Sequence, residues 1–182
     1  MTLTDIANQA IESLCDRAIS SIEDKEDATS AYLNRRMFRT IREVQSSYKW
    51  SCLVKTAALL KTETLPTGEC AFLIPDNFLS VIDACPNIAW NIEGKRIVAP
   101  VNEICIKYVK FSENPDEWDA NLTGAIVSQL KSDVALRITG DTKLAQLAFQ
   151  EAKIEVPRFA RNDSRNRQNR HIPYRSTMFN GW

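Results

Sequence analysis

Residue types able to do chemistry are few in this chain and widely scattered. The only histidine is His171, within the polar C-terminal stretch RNDSRNRQNRHIPYRSTMFNGW. A Ser-His or Cys-His dyad needs an ordered, partly buried base, and this stretch predicts a solvated one. Five cysteines, Cys15, Cys52, Cys70, Cys85 and Cys105, never form CxxC. They read as reduced thiols filling small apolar sites in a cytosolic setting, not as a zinc site or a disulfide framework. Glu23, Asp24, Glu26 and Asp27 form an acidic knot that lacks the glycine and the alternation of a calcium loop. It predicts a solvated loop or helix start. Asp116, Glu117 and Asp119 stand where a helix begins, and favourable interaction with the helix dipole accounts for them; a hydrolase carboxylate pair is the less specific alternative. The five glycines form neither GxGxxG nor GxxxxGK, so no phosphate-cradling loop is predicted. Trp50, Trp90 and Trp118 read as core or interface anchors rather than ligand stackers. The expectation is a protein that is not an enzyme and holds no metal or cofactor.

The elements that would carry these residues fall into a simple order. Leu3, Ile6, Ala10 and Leu14 keep helical spacing in an amphipathic, acidic opening helix, a pattern unlike a signal peptide, with Thr2 or Thr4 as its cap. Leu33, Met37, Ile41, Val44 and Tyr48 predict a second helix from about Asp27 to Tyr48, whose other face carries Arg35, Arg39, Arg42 and Glu43. After Trp50 the pattern turns to short apolar runs: SCLVKTAALLKTE, AFLIP, FLSVIDAC, a hairpin IAWNIEGKRIVA bending at Glu93-Gly94, and ICIKYVKF. In the last run Ile104, Ile106 and Tyr108 alternate with Cys105, Lys107 and Val109, which predicts a half-buried antiparallel strand. Helix resumes at Asn114-Pro115, with Trp118, Leu122, Ile126, Leu130 and Val134 in phase. Gly140 ends it, Asp141 or Thr142 caps the next helix, and that helix is expected to stop near Pro157.

The predicted class is therefore α+β: an antiparallel helical bundle of about four helices, an inserted antiparallel β region and an extended C-terminal tail. The boundaries read as an N-terminal helical pair over 1–50, the β region over 51–112, a second helical pair over 113–157 and a basic tail over 158–182. With 182 residues, 44% of them apolar, one domain can bury a real core. No apolar run reaches the ~18 residues of a membrane span. Net charge is zero but uneven: residues 157–182 carry six arginines and one acid, a net +5, against −5 for the rest. Such asymmetry points to an interaction tail. Its candidate contact residues are Arg158, Arg161, Arg165, Arg167, Arg170, Tyr174, Arg175, Met178, Phe179 and Trp182. Arginine supplies bidentate contacts to carboxylates, and aromatics and methionine are anchor residues.

Several stretches in order resemble one known family. These are TDIANQAIESL, VQSSYKWSC, LIPDNFLSVIDAC, WNIEGKRIV, the long run IKYVKFSENPDEWDANLTGAIVSQLKSDVALRITGDTKLAQ, and the exit ARNDSRN. Together they resemble the head-to-tail adaptors of tailed bacteriophages, above all the tail tubular protein A family of short-tailed phages. The likeness spans residues 4–166. It implies a virion protein assembled in the host cytoplasm as a ring, typically dodecameric, beneath the portal protein. Such a ring continues the channel through which packaged DNA passes and offers a platform to the next, nozzle-like tail protein. It implies no membrane partner. In that setting the basic tail is expected to order on the portal. A tail that contacts DNA, or one that stays solvated, are the other readings. At the level of function the alternatives are a nonspecific DNA-binding phage protein and the neck connector of a long-tailed phage.

Overall fold

The computed structural model describes residues 1–15 and 17–168. Two helices, α1 (Leu3–Glu12) and α2 (Ala28–Ser47), are followed by a 3-10 turn (Ser51–Leu53) and seven strands. A second 3-10 turn (Pro115–Glu117) then leads into α3 (Ala120–Thr139) and α4 (Thr142–Gln168). The protein is α+β, with the strands falling between two pairs of helices, the order its hydrophobic pattern predicts.

Helix ends follow their side chains. The first amides of a helix lack intrahelical acceptors, and a short oxygen-bearing side chain supplies one. Thr2 Oγ1 accepts from the Asp5 amide at 3.1 Å, while Asp5 Oδ2 accepts from the Thr2 amide at 2.7 Å, a reciprocal capping box. Asp27 Oδ2 accepts from the Ser30 amide at 3.0 Å and starts α2. The single helix expected from Asn114-Pro115 is corrected: Asn114 caps only the 3-10 turn, Trp118 is extended, and Asp119 starts α3 afresh by accepting from the Leu122 amide at 2.8 Å. The break follows from Trp118, which is buried and donates its indole N–H to the Ser112 carbonyl at 3.2 Å. Gly140 ends α3 at φ +67°, a conformation that costs glycine little and other residues more.

The strands are β1 (Val54–Ala58), β2 (Lys61–Thr64), β3 (Cys70–Leu73), β4 (Phe78–Cys85), β5 (Asn91–Glu93), β6 (Arg96–Ala99) and β7 (Cys105–Lys110). They make two antiparallel sheets, ordered β1-β7-β4 and β2-β3-β6-β5. Side chains alternate across a strand, so a central strand can serve two cores at once. Strand β7 does this. Ile106 and Tyr108 join Cys70, Phe72, Ile97 and Ala99 of the second sheet, while Val109 joins the helices. The half-buried strand expected at β7 is thus corrected at its C-terminal end, where both faces are covered. The helical core contains Ile6, Leu33, Met37, Ile41, Leu122, Ile126, Leu130 and fully buried Trp50, whose indole donates to the Val44 carbonyl at 2.9 Å. Each fully buried aliphatic side chain here contributes ~1.5–3 kcal/mol. Helix α3 is the one that α1, α2 and α4 each pack against.

A buried amide joins the helices to the β region. Gln45 donates to the Ser112 carbonyl at 2.7 Å and accepts from the Ser112 amide at 3.0 Å, so both ends of its side chain are satisfied. Among the cysteines, Cys70 is buried and Cys15, Cys52 and Cys105 are half-buried. Cys85 is exposed, which corrects its expected role as an apolar filler. It is the last residue of β4, where the chain leaves the sheet.

Candidate functional site

The end expected for the last helix is corrected: α4 does not stop near Pro157 but runs from Thr142 through Pro157 to Gln168. An interior proline removes one helical hydrogen bond and crowds the carbonyl four residues back, at ~3 kcal/mol. What offsets this lies on both sides of Pro157. Val156 and Ala160 are buried in the helical core, and Asp163 is only 1% exposed. Both Asp163 carboxylate oxygens accept from the Ser51 amide, at 3.2 and 3.0 Å, and Oδ1 also accepts from the Ser51 hydroxyl. The single acid of the basic stretch therefore holds the end of α4 against the first 3-10 turn. Residues 158–168 are helix and not extended tail, and over 158–165 the inner face is small or satisfied even though it is not apolar.

The inner seam of α4, Ala148, Ala152, Val156, Ala160 and Asp163, recurs at three and four residues and faces α3. Small residues let the two helices approach closely. At Gly124 of α3 an added Cβ would lie 2.6 Å from the Phe159 ring, so this position admits no side chain without movement. An ion pair and a hydrogen bond flank the seam: Lys131 Nζ to Glu151 at 2.8 Å, and the Ser128 hydroxyl donating to Glu155 at 3.2 Å.

The outer face of α4 is the candidate site. Its first half exposes Leu144, Leu147 and Ile154, the last 70% exposed; exposed Phe149 lies to the side of this row, and Leu136 is exposed near the end of α3. Its second half carries Arg158, Arg161 and Arg165, all exposed, spaced three and four residues apart and so on one face over ~10 Å. Arg158 pairs with Glu155 at 3.2 Å and lies 5.4 Å from the centre of the Phe159 ring. Lys153 lies 4.3 Å from the Phe149 ring centre. Among the described residues no ion pair engages Arg161 or Arg165. The arrangement offers apolar contact first and bidentate donors second, along one continuous helix. Arg167 belongs to its last turn. Arg170, Tyr174, Arg175, Met178, Phe179 and Trp182, and also His171, lie outside the described residues.

The carboxylates weighed for catalysis have structural partners. Lys110 Nζ donates to both Glu117 oxygens at 2.7 and 2.6 Å, and the Ser112 hydroxyl donates to Glu117 as well. The lysine first, then the serine, hold the Glu117 carboxyl below its ordinary pKa. Asp119 caps α3. In the acidic knot Asp24 accepts from the Glu26 and Asp27 amides at 2.9 and 3.3 Å, and Asp27 pairs with Arg17 at 2.7 Å besides capping α2. Hydrogen bonds from Ser30 hold Asp27 below its ordinary pKa. Among the described residues no group of three His, Cys, Asp or Glu side chains is arranged to hold a metal, and no helix is long and apolar enough to cross a membrane. Of the predicted anchors, Trp50 and Trp118 are buried, and half-buried Trp90 packs on the core between the sheets.

Composition and periodicity did not single out Asp163, Gln45 or the Gly124–Phe159 contact. A signal for Asp163 existed: it is the lone acid among arginines, seven residues after Val156 and three after Ala160. No protein-family model matches the chain, and no curated protein matches it either.

Proposed function

We propose that the protein is a structural virion protein, the head-to-tail adaptor of a tailed phage, and not an enzyme. In this reading several copies close into a ring, dodecameric by the family resemblance, because a rotationally repeated head-to-tail contact closes on itself. The ring docks beneath the portal protein, continues the channel for packaged DNA and receives the nozzle-like tail protein on its far side. The helices act as an antiparallel bundle giving the rigid wall, and the β region supplies the lower platform. The C-terminal segment is the portal contact, beginning on the outer face of α4 and including residues 169–182.

The observation that carries this reading is the outer face of α4. Three large exposed aliphatic side chains, Leu144, Leu147 and Ile154, lead into Arg158, Arg161 and Arg165 on a helix anchored from behind by Asp163. Apolar anchors beside arginines are what a protein partner uses; a solvated helix needs neither. Tyr174, Met178, Phe179 and Trp182 follow in the sequence and are of the same anchor type. The test is a sizing experiment with the purified cognate portal. The intact chain is expected to shift into a high-mass ring complex. A chain ending at Gln168 should stay folded and bind less, and Arg158→Glu/Arg161→Glu/Arg165→Glu should fold and fail to attach. Unchanged attachment by both variants would refute the assignment.

A further inference from the structure

The portal contact leaves a second cationic face unused. On α2 the residues pointing away from the core fall on one line: Ala28, Ala31, Arg35, Phe38, Arg39, Arg42 and Ser46 recur at three and four residues. Three arginines are exposed there, and Phe38, 42% exposed, stands among them. The one acid of α2, Glu43, lies to the side and pairs with Arg39 at 2.7 Å. Arg35 donates its Nε to the Ala31 carbonyl at 3.3 Å, which leaves its terminal nitrogens free to turn outward. The Arg42 guanidinium carbon lies 4.6 Å from the centre of the Phe111 ring, a cation–π contact at the edge of this face. Arg35 and Arg39 are like charges four residues apart, an arrangement that costs an isolated helix a few tenths of a kcal/mol, about 0.2–0.5. A bound polyanion relieves that cost.

We propose that this face of α2 is a nucleic-acid contact surface, with Arg35, Arg39 and Arg42 on backbone phosphates and Phe38 against the sugar. From residue 35 to 42 the helix rises ~10 Å. A duplex presents one charge per ~1.7 Å of axis, so roughly six phosphates lie within that reach. Releasing Arg39 from Glu43 costs little, since an exposed pair contributes under ~1 kcal/mol. The face differs from that of α4 in having one exposed aromatic and no large exposed aliphatic side chain, which suits a charged backbone better than a protein groove. For its setting this inference rests on the reading that DNA passes through the assembly, but its test needs only the purified chain.

The probe is a labelled duplex of arbitrary sequence, titrated by fluorescence anisotropy at several salt concentrations. The intact chain is expected to bind with a log-log salt slope that Arg35→Gln/Arg39→Gln/Arg42→Gln lowers by about 2.7, at ~0.9 per phosphate contact. Gln is close to Arg in helix propensity, so circular dichroism should report an unchanged fold. Phe38→Ala is expected to weaken binding with the slope unchanged. Arg158→Gln/Arg161→Gln/Arg165→Gln is expected to keep duplex affinity within about twofold while losing the portal. Wild-type duplex binding by the α2 variant would overturn the proposal. So would loss of portal attachment by that variant with duplex binding intact, which would make α2 a protein contact. Neither result bears on the α4 assignment, which stands or falls on the portal sizing experiment.

Discussion

Substituting Asp163 by alanine should detach the end of α4. The side chain is 1% exposed and receives two different donors from Ser51, its amide and its hydroxyl. A hydrogen bond to a charged group contributes ~1.5–3 kcal/mol, and a donor left buried without an acceptor costs ~1–3 kcal/mol. Allowing for water reaching the half-buried Ser51, the expected loss is about 3 kcal/mol. With a urea dependence of ~2 kcal/mol per molar, the unfolding midpoint should fall by ~1.5 M. Ser51→Ala removes only the hydroxyl and should cost ~1 kcal/mol, and the double variant should lose less than the sum, because the two side chains share one bond. Asp163→Asn keeps a carbonyl acceptor and should fall between. Urea melts followed by circular dichroism make the measurement. A midpoint shift for Asp163→Ala below roughly 0.3 M would refute the idea that this carboxylate holds α4 through Pro157. A chain ending at residue 157 loses Ala160 and Asp163 and should be destabilised, whereas one ending at Gln168 keeps both.

Gly124→Ala should destabilise by ~1 kcal/mol net, because overpacking against Phe159 at ~1–3 kcal/mol outweighs a helix-propensity gain of ~1; adding Phe159→Leu should recover it, and a more stable single variant would contradict the close approach. Acid should weaken the fold through Glu117, Asp5 and Asp27, whose folded pKa values are lowered: such groups contribute stability above their unfolded pKa and lose it as pH falls, so melts from neutral pH down past the ordinary glutamate value of 4.5 should show a decline that Lys110→Ala makes shallower. Alkylation of the native protein, followed by mass spectrometry, should label exposed Cys85 first and Cys52 late, since burial pushes the Cys52 thiol up and leaves less thiolate to react; early labelling of Cys52 would mean that its surroundings open readily.

The fold was legible where apolar residues repeat. The spacing of Leu33, Met37, Ile41 and Val44 marked α2 to within a residue or two, and Gly140 marked the turn into α4. It was illegible where the buried face is not apolar. Beyond Pro157 the seam is made by Ala160 and a carboxylate, and a period built on large hydrophobic side chains cannot register either. Trp118 misled in the opposite sense: it is in phase with α3, yet its indole bond to Ser112 holds it just outside the helix. The candidate site shows the same division. Its arginines could be named from composition, but their alignment required a helix where an extended tail was expected.

That alignment changes what the arginines can do. On an extended tail, six cations are interchangeable charges, and either DNA or an acidic protein would satisfy them. On a helix, Arg158, Arg161 and Arg165 are held at fixed spacing behind a row of exposed aliphatic side chains, and a partner must match both at once. The α2 face has the same number of exposed arginines but only Phe38 for apolar contact. A polyanion asks for charge at regular intervals and gains little from leucine; a protein groove asks for apolar area and uses arginine at its rim. On the proposed assignments, the two cationic faces, on helices that both pack on α3, divide by their apolar content: protein for α4, nucleic acid for α2. Exchanging that content is the decisive perturbation. Leu147→Gln with Ile154→Gln should leave every charge in place and abolish portal attachment in the sizing assay, with duplex binding untouched. If attachment survives that pair, charge alone drives it, and the two faces are not distinguished by the physics offered for them.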